Sequence, residues 1–239
     1  MSDRGQNPIP IVRAKKRAKS RARALRVTAL VGVLGLVLGC AGIVWFSPLF
    51  SARSVEVTGL TTLTTDQVVS VAAVPLGTPL VRLDRAAIIA RVETLTQVDS
   101  VSVARHIDGV VELRVVERQP VYVLAHSSGY QLVDRAGVAY LPVASPPENV
   151  PVVTLASNEV RMLQDAATVV LSLPSEVTSQ AFSVEAATPD SFTIHLATGG
   201  TVMWGSAEES DLKGQVLAAL LSVSASYYDV SSPSHPATR

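Results

Sequence analysis

The chain has 239 residues, 20 basic and 20 acidic side chains, and a single cysteine. One cysteine excludes a disulfide within the chain. The balanced charge conceals two unlike parts. Nine basic residues and one acid, Asp3, lie before residue 27, which leaves 11 basic and 19 acidic side chains, a formal −8, for residues 27–239.

Residues 1–26 carry Arg4, Arg13, Lys15, Lys16, Arg17, Lys19, Arg21, Arg23 and Arg26. A basic cluster can meet nucleic acid or anionic lipid. No aromatic residue interleaves these charges, so single-stranded bases find no stacking platform and no nucleic acid is expected. The simpler reading is topological, a basic flank that stays in the cytoplasm.

Val27 to Phe46 is an uncharged stretch of 20 residues, VTALVGVLGLVLGCAGIVWF. As a helix it would measure about 30 Å, the thickness of a bilayer's hydrocarbon core. Trp45 sits at its end, where an indole favours the interface. The segment is predicted to be an uncleaved transmembrane anchor, because both its basic flank and its apolar run exceed those of a signal peptide. Val37-Leu38-Gly39-Cys40 has the look of a lipoprotein box, but apolar residues Ile43 to Phe46 continue past the cysteine. Gly35 and Gly39 form a GxxxG, which either lets helices approach closely or reflects the ordinary glycine content of membrane helices. With the N-terminus cytoplasmic, everything after residue 46 is expected outside the membrane, in a single-pass type II topology.

In the next segment, Val55 and Val57 share one face of a short strand that stops at Gly59. Thr64-Thr-Asp-Gln67 is a capping box opening a helix through Val68, Val69 and Ala72, broken by Pro75-Leu-Gly-Thr-Pro79. Asp84 caps a second helix carrying Ile88, Ile89, Val92 and Leu95. Val98 to Arg105 and Val110 to Val116 are strands joined at Asp108-Gly109, a strong hairpin signal. The order is β-α-α-β-β.

That order directly after an anchor resembles a POTRA domain. The wording SARSVEVTGL, PLGTPLVRLD and VSVARHIDGVVELRVVERQPV resembles the FtsQ/DivIB family of bacterial division proteins. Other POTRA-containing proteins carry several copies and a C-terminal barrel, and this sequence shows neither.

From Tyr122 onward, a hairpin at Ser127-Ser-Gly129 is followed by a turn at Asp134 to Gly137 and a strand from Val138 to Leu141. Pro142 to Pro151 holds four prolines and reads as an exposed loop. A strand at Val152 to Leu155 precedes a helix from Asn158, with Val160, Leu163, Ala167, Val170 and Leu171 on its apolar face. Strands follow at Ala181–Glu185, Ser191–Ala197 and Gly200–Trp204. Ser206-Ala-Glu-Glu209 reads as a second capping box, opening a helix to about Ser226 with Leu212, Val216, Leu217, Leu220 and Val223 inward. Tyr227 to Ser231 reads as the final strand, with Pro233 and Pro236 ending any further pairing. The segments YQLVDRAGVAYLPV, GGTVMWGSAEESDLKGQVLAALL and YYDVSSPSHPATR follow the family's second domain in order, without the aromatic residue some members place near the terminus.

The fold class is therefore α+β. The expected parts are a basic tail (1–26), a transmembrane helix (27–46), a POTRA-like domain (51–121), a second mixed domain (122–232) and a C-terminal tail (233–239). No sequence signature of an enzyme emerges. His106, His126, His195 and His235 are scattered, there is no HExxH, GxSxG or SxxK, and Cys40 lies in the anchor. No catalytic, cofactor or metal residues are expected. The resemblance implies a scaffold of the division machinery, bound to two bitopic coiled-coil partners, FtsB-like and FtsL-like, and through them affecting the septal peptidoglycan synthase. The expected partner-binding strand is Tyr227, Tyr228, Asp229, Val230 and Ser231, extended by strand addition. Two other classes share the topology: an anchored assembly factor or chaperone using its POTRA-like unit, and an anchored cell-wall enzyme.

Overall fold

The structure, a computed structural model, describes residues 28–39, 50–180 and 182–239. The basic tail, Cys40 and the rest of the apolar stretch to Phe46 lie outside the described residues. Residues 28–39 form a helix, α1, whose leucines and valines are exposed. No helix among the described residues is long and apolar enough to cross a membrane.

The first unit begins with β1 (Ser54–Thr58). Two helices follow, α2 (Thr65–Ala72) and α3 (Arg85–Val92), and then two strands, β2 (Val98–Arg105) and β3 (Val110–Glu117). The capping box at Thr64 forms in full: its hydroxyl accepts from the Gln67 N–H, and the Gln67 side chain accepts from the Thr64 N–H. Asp84 caps α3 through the Ala87 N–H. The sheet order is β1-β3-β2, with β1 parallel and β2 antiparallel to β3. Both helices close one core with the sheet, burying Val68, Ile88, Val92, Val111 and Leu113.

Glu117, at the end of β3, holds the β1–α2 loop. Its buried carboxylate accepts N–H bonds from Thr61 (2.8 Å), Thr62 (2.9 Å) and Leu63 (3.0 Å), and the Thr62 hydroxyl. Burial by itself would raise its pKa; these donors outweigh it and hold the carboxyl at about 2.

The second unit is one nine-stranded sheet with helices on one face. Its strands are β4 (Pro120–His126), β5 (Gly129–Asp134), β6 (Ala139–Val143), β7 (Val152–Leu155), β8 (Phe182–Ala186), β9 (Phe192–Leu196), β10 (Thr201–Gly205), β11 (Tyr227–Asp229) and β12 (Ala237–Thr238). They lie in the order β12-β11-β10-β9-β8-β7-β4-β5-β6. The helices are α4 (Val160–Leu171), α5 (Ser175–Thr178) and α6 (Ser210–Leu220). Trp204, Phe192 and Ile194 on the strands meet Ala166, Val169 and Leu217 on the helices. A smaller cluster, Val123, Leu132 and Tyr140, covers the other face at the β4–β5–β6 end.

Several local expectations are corrected. Pro142 belongs to β6 and pairs opposite Gln131, an edge-strand placement where the missing donor costs no ladder bond, so the loop starts at residue 144. Helix α4 starts two residues later than Asn158 and is rotated from the expected phase. Leu163, Ala167 and Val170 are buried as expected and the buried face continues through Met162, Ala166 and Val169, whereas Val160 and Leu171, at its other edge, are exposed. The Ser206–Glu209 capping box does not form. Glu209 is left-handed at the N-cap, Ser206 instead offers its carbonyl to Lys213 Nζ (2.8 Å), and Ser210 is held beneath Trp204 Nε1 (3.1 Å). Helix α6 ends at Leu220, with Leu212 and Val223 exposed and Lys213 buried in their stead. Burial lowers the Lys213 pKa, against the opposing pull of Glu209 and Glu208. The expected final strand, Tyr227–Ser231, is shorter, Tyr227–Asp229, and is not the last: a further strand, β12, lies beyond it despite Pro233 and Pro236.

Candidate functional site

The C-terminal end of the large sheet is assembled from β10, α6, β11 and β12. Helix α6 carries the chain across so that β11 lies parallel to β10, with Thr201 opposite Tyr227 and Met203 opposite Asp229. Side chains alternate as the pleat requires. Tyr228 and Val230 turn into the core, while Tyr227 and Asp229 are half-buried and Ser231 is exposed. The Tyr228 hydroxyl donates to the Val223 carbonyl (2.9 Å) and accepts from the Ala225 N–H (3.1 Å), which fixes the loop between α6 and β11. Asp229 Oδ1 accepts from both the N–H and the hydroxyl of Ser231.

The backbone of β11 faces two ways. The Val230 N–H donates inward to the Met203 carbonyl (3.0 Å). The Tyr227 N–H points outward and donates to the Arg239 carbonyl (3.1 Å), and the Arg239 N–H returns to the Tyr227 carbonyl (2.9 Å). After Asp229 the chain turns through Pro233 and Pro236 and comes back antiparallel, setting Thr238 opposite Tyr228 and Ala237 opposite Asp229. Both β12 residues are exposed. The outer row of β11 is thus occupied, over a very short length, by the chain's own terminus. The expected strand residues do come together in one place, but the sequence reading missed their cover. A two-residue strand directly after a proline has no periodicity to betray it. Thr238 is its only β-branched residue.

Beside this edge lies an open cleft of ≈ 870 Å³, bordered by Glu176, Gln180, Thr198, Leu221, Ala225 and Tyr228. Among the described residues its walls bring no nucleophile–base pair together. The histidines stand apart, each with its own neighbour: His106 with Glu112 (3.0 Å), His126 with Ser128 (2.8 Å), His195 with Glu185 (3.6 Å) and His235 with Ser234 (3.0 Å). Among the described residues no group of three metal-ligating side chains converges.

A three-stranded β-α-α-β-β unit leading into a large sheet with a C-terminal edge defines the class: a POTRA unit followed by a division-type sheet domain. Residues 50–118 match the model of the FtsQ-type POTRA domain, and residues 122–231 match that of the C-terminal part of the cell division proteins FtsQ/DivIB. The chain is 37% identical to the cell division protein FtsQ of Streptomyces venezuelae, over 96% of its own length and 88% of that protein. It is 34% identical to FtsQ of Mycolicibacterium smegmatis (92% and 67% covered) and 34% identical to FtsQ of Mycobacterium tuberculosis (98% and 74%). The chain therefore belongs to the FtsQ/DivIB family of cell division proteins.

Proposed function

We propose that this protein is a non-enzymatic, membrane-anchored scaffold of the division machinery that binds its partners by strand addition at β11. The single observation that carries this is the short cover on that edge. Only Ala237, Thr238 and Arg239 pair along Tyr227 to Asp229, so a longer partner strand offers more main-chain bonds than the terminus it replaces. Tyr228, locked by two hydrogen bonds, and Val230 brace the strand from inside, leaving Tyr227, Asp229 and Ser231 as the outward set. The partners are the FtsB-like and FtsL-like bitopic proteins, and the effect reaches the septal peptidoglycan synthase through them.

The anchor is Val27 to Phe46, with the nine-cation tail in the cytoplasm and both folded units outside, at the septum. The apolar side chains of α1 project without any cover from the folded units, which suits a lipid surrounding. Photo-crosslinking from position 227 in dividing cells tests the binding edge. The expected product joins this protein to an FtsB-like partner, and products confined to a probe in the first unit would place binding there. A C-terminal reporter active only in the cytoplasm would contradict the topology.

A further inference from the structure

We propose that the end of the first unit nearest the anchor docks onto anionic phospholipid headgroups, through Leu76, Val81 and Ile107 with Arg53, Arg82 and Arg105 around them. The inference rests on the membrane-anchored reading above.

Three separate segments meet at this end. The Ala52 N–H donates to the Thr78 carbonyl (2.9 Å), and the Gly77 N–H returns to the Ala52 carbonyl (2.8 Å). Ser51 bridges to Pro79, and the Arg53 N–H donates to the Gly109 carbonyl (2.7 Å). Arg105 Nη1 donates to the Leu80 carbonyl (2.7 Å), tying the β2–β3 hairpin to the loop between α2 and α3. The first residues of the folded unit, the 76–82 loop and the 106–109 turn therefore form one surface.

That surface is apolar where a soluble face would be polar. Ile107 is 86% exposed, Leu76 58% and Val81 41%. Leu76 and Ile107 sit on turns and Val81 faces out from a single 3₁₀ turn (Leu80–Arg82), so no packing requirement selects an aliphatic side chain at any of the three. It is also basic within an acidic protein. Arg53, Arg82 and Arg105 are exposed here, as is Arg85 at the start of α3, against Asp84 and Asp108. The chain after residue 26 carries a formal −8, so a locally positive end is a distinct feature.

Chain length supplies the occupant. Phe46 ends the apolar stretch and Phe50 is already at the folded unit. Four residues reach at most about 14 Å when fully extended. This end is held against the headgroup layer, and the opposite end is not. Tethering also makes the local lipid concentration high, so a weak intrinsic contact suffices. Aliphatic side chains enter the headgroup–acyl boundary while arginines meet lipid phosphates, the combination that surface-binding segments use. Docking would fix the tilt of the first unit and thereby the height at which the β11 edge is presented to its partners.

The test uses the full chain in lipid nanodiscs, with an environment-sensitive dye on a single cysteine and a spin label in the lipid headgroups. In a Cys40→Ser background the dye is placed by Leu76→Cys, Ile107→Cys or, as a distant control, Val223→Cys. The native Cys40 serves as the anchor control. The expected result is quenching at 76 and 107 but not at 223, stronger with phosphatidylglycerol than with phosphatidylcholine alone, and a docking constant lowered about fivefold by Arg82→Gln. Quenching at Cys40 without quenching at 76 and 107 keeps the anchor and overturns the docking. No quenching at Cys40 overturns both. Quenching indifferent to phosphatidylglycerol and to Arg82→Gln overturns the anionic-lipid assignment. Shielding that occurs only in membranes retaining other division proteins assigns the surface to a protein and overturns it as well.

Discussion

Arg118 joins the two folded units through Asp134. Its Nη1 donates to Asp134 Oδ2, and the same guanidinium reaches back to the Thr96 carbonyl (3.2 Å) and Asp99 (3.4 Å) in the first unit. The Arg118 carbonyl in turn accepts from the Tyr140 hydroxyl (3.3 Å) in the second. Asp134 is almost wholly buried and also accepts the Ala136 and Val138 N–H groups, so it is a fixed anchor point for the arginine.

Arg118→Met is therefore expected to loosen the joint. It leaves Asp134 buried with its backbone donors but without its cation, a loss of about 2 kcal/mol, below the usual range for a buried pair because the arginine is partly solvated. Thermal unfolding checks the stability. The distance distribution between spin labels on the two units should broaden; an unchanged distribution would show that the chain connection alone sets the angle.

The first unit was legible from sequence almost element by element. Its strands alternate, its helices have side-chain caps at Thr64 and Asp84, and its hairpin has Asp108-Gly109, so local signals and tertiary structure agree. The second unit was less so. The Ser206–Glu209 motif has the wording of a capping box, yet the Trp204–Ser210 bond and the buried Lys213 decide the start of α6. Both are contacts with no local signature. The phase of α4 is set by where it crosses β4 and β5, which moves Val160 outside despite its hydrophobicity. The edge strand β11 was visible, its alternation included; its cover by β12 depends on a turn through two prolines and was not.

Glu117 makes the first unit acid-sensitive. Its carboxyl lies at about 2 in the folded protein against an ordinary 4.5. Its full contribution is present above about pH 4.5 and is lost as the pH falls towards 2, because over that window the unfolded chain takes up a proton that the native chain does not. Glu117→Gln turns one acceptor into an amide facing the donors of Thr61 to Leu63. It is expected to cost about 2 kcal/mol at neutral pH and to flatten the acid limb of the stability curve. Equal acid slopes in the two proteins would contradict the assignment.

Gly214 on α6 has no room for a side chain. A Cβ there would stand 2.1 Å from the Ser172 carbonyl oxygen at the end of α4. Although alanine favours helix, Gly214→Ala should destabilise the second unit by about 3 kcal/mol through overpacking against backbone. A melting temperature equal to or above that of the unaltered protein would mean that α4 and α6 can separate freely.

The two donor directions of β11 separate folding from binding. Val230→Pro removes the bond to Met203 and should lower stability by about 3 kcal/mol. Tyr227→Pro removes the outward donor at the first residue of the strand, where sheets tolerate proline. It should spare the melting temperature and weaken partner capture. Two variants with matching profiles would show that the outward row carries no partner.

The most direct measurement compares partner affinity for the full chain and for a chain ending at Ser232, which lacks β12. Both are titrated with the extracytoplasmic segment of the FtsB-like protein. Removing the internal competitor spares the partner from displacing the main-chain hydrogen bonds that Arg239 makes with Ser226 and Tyr227, so binding should tighten about tenfold or more, with the strand register of Tyr227 to Asp229 protected from hydrogen exchange in the complex. Unchanged affinity, together with exchange protection that falls on the first unit instead, would contradict strand addition at β11.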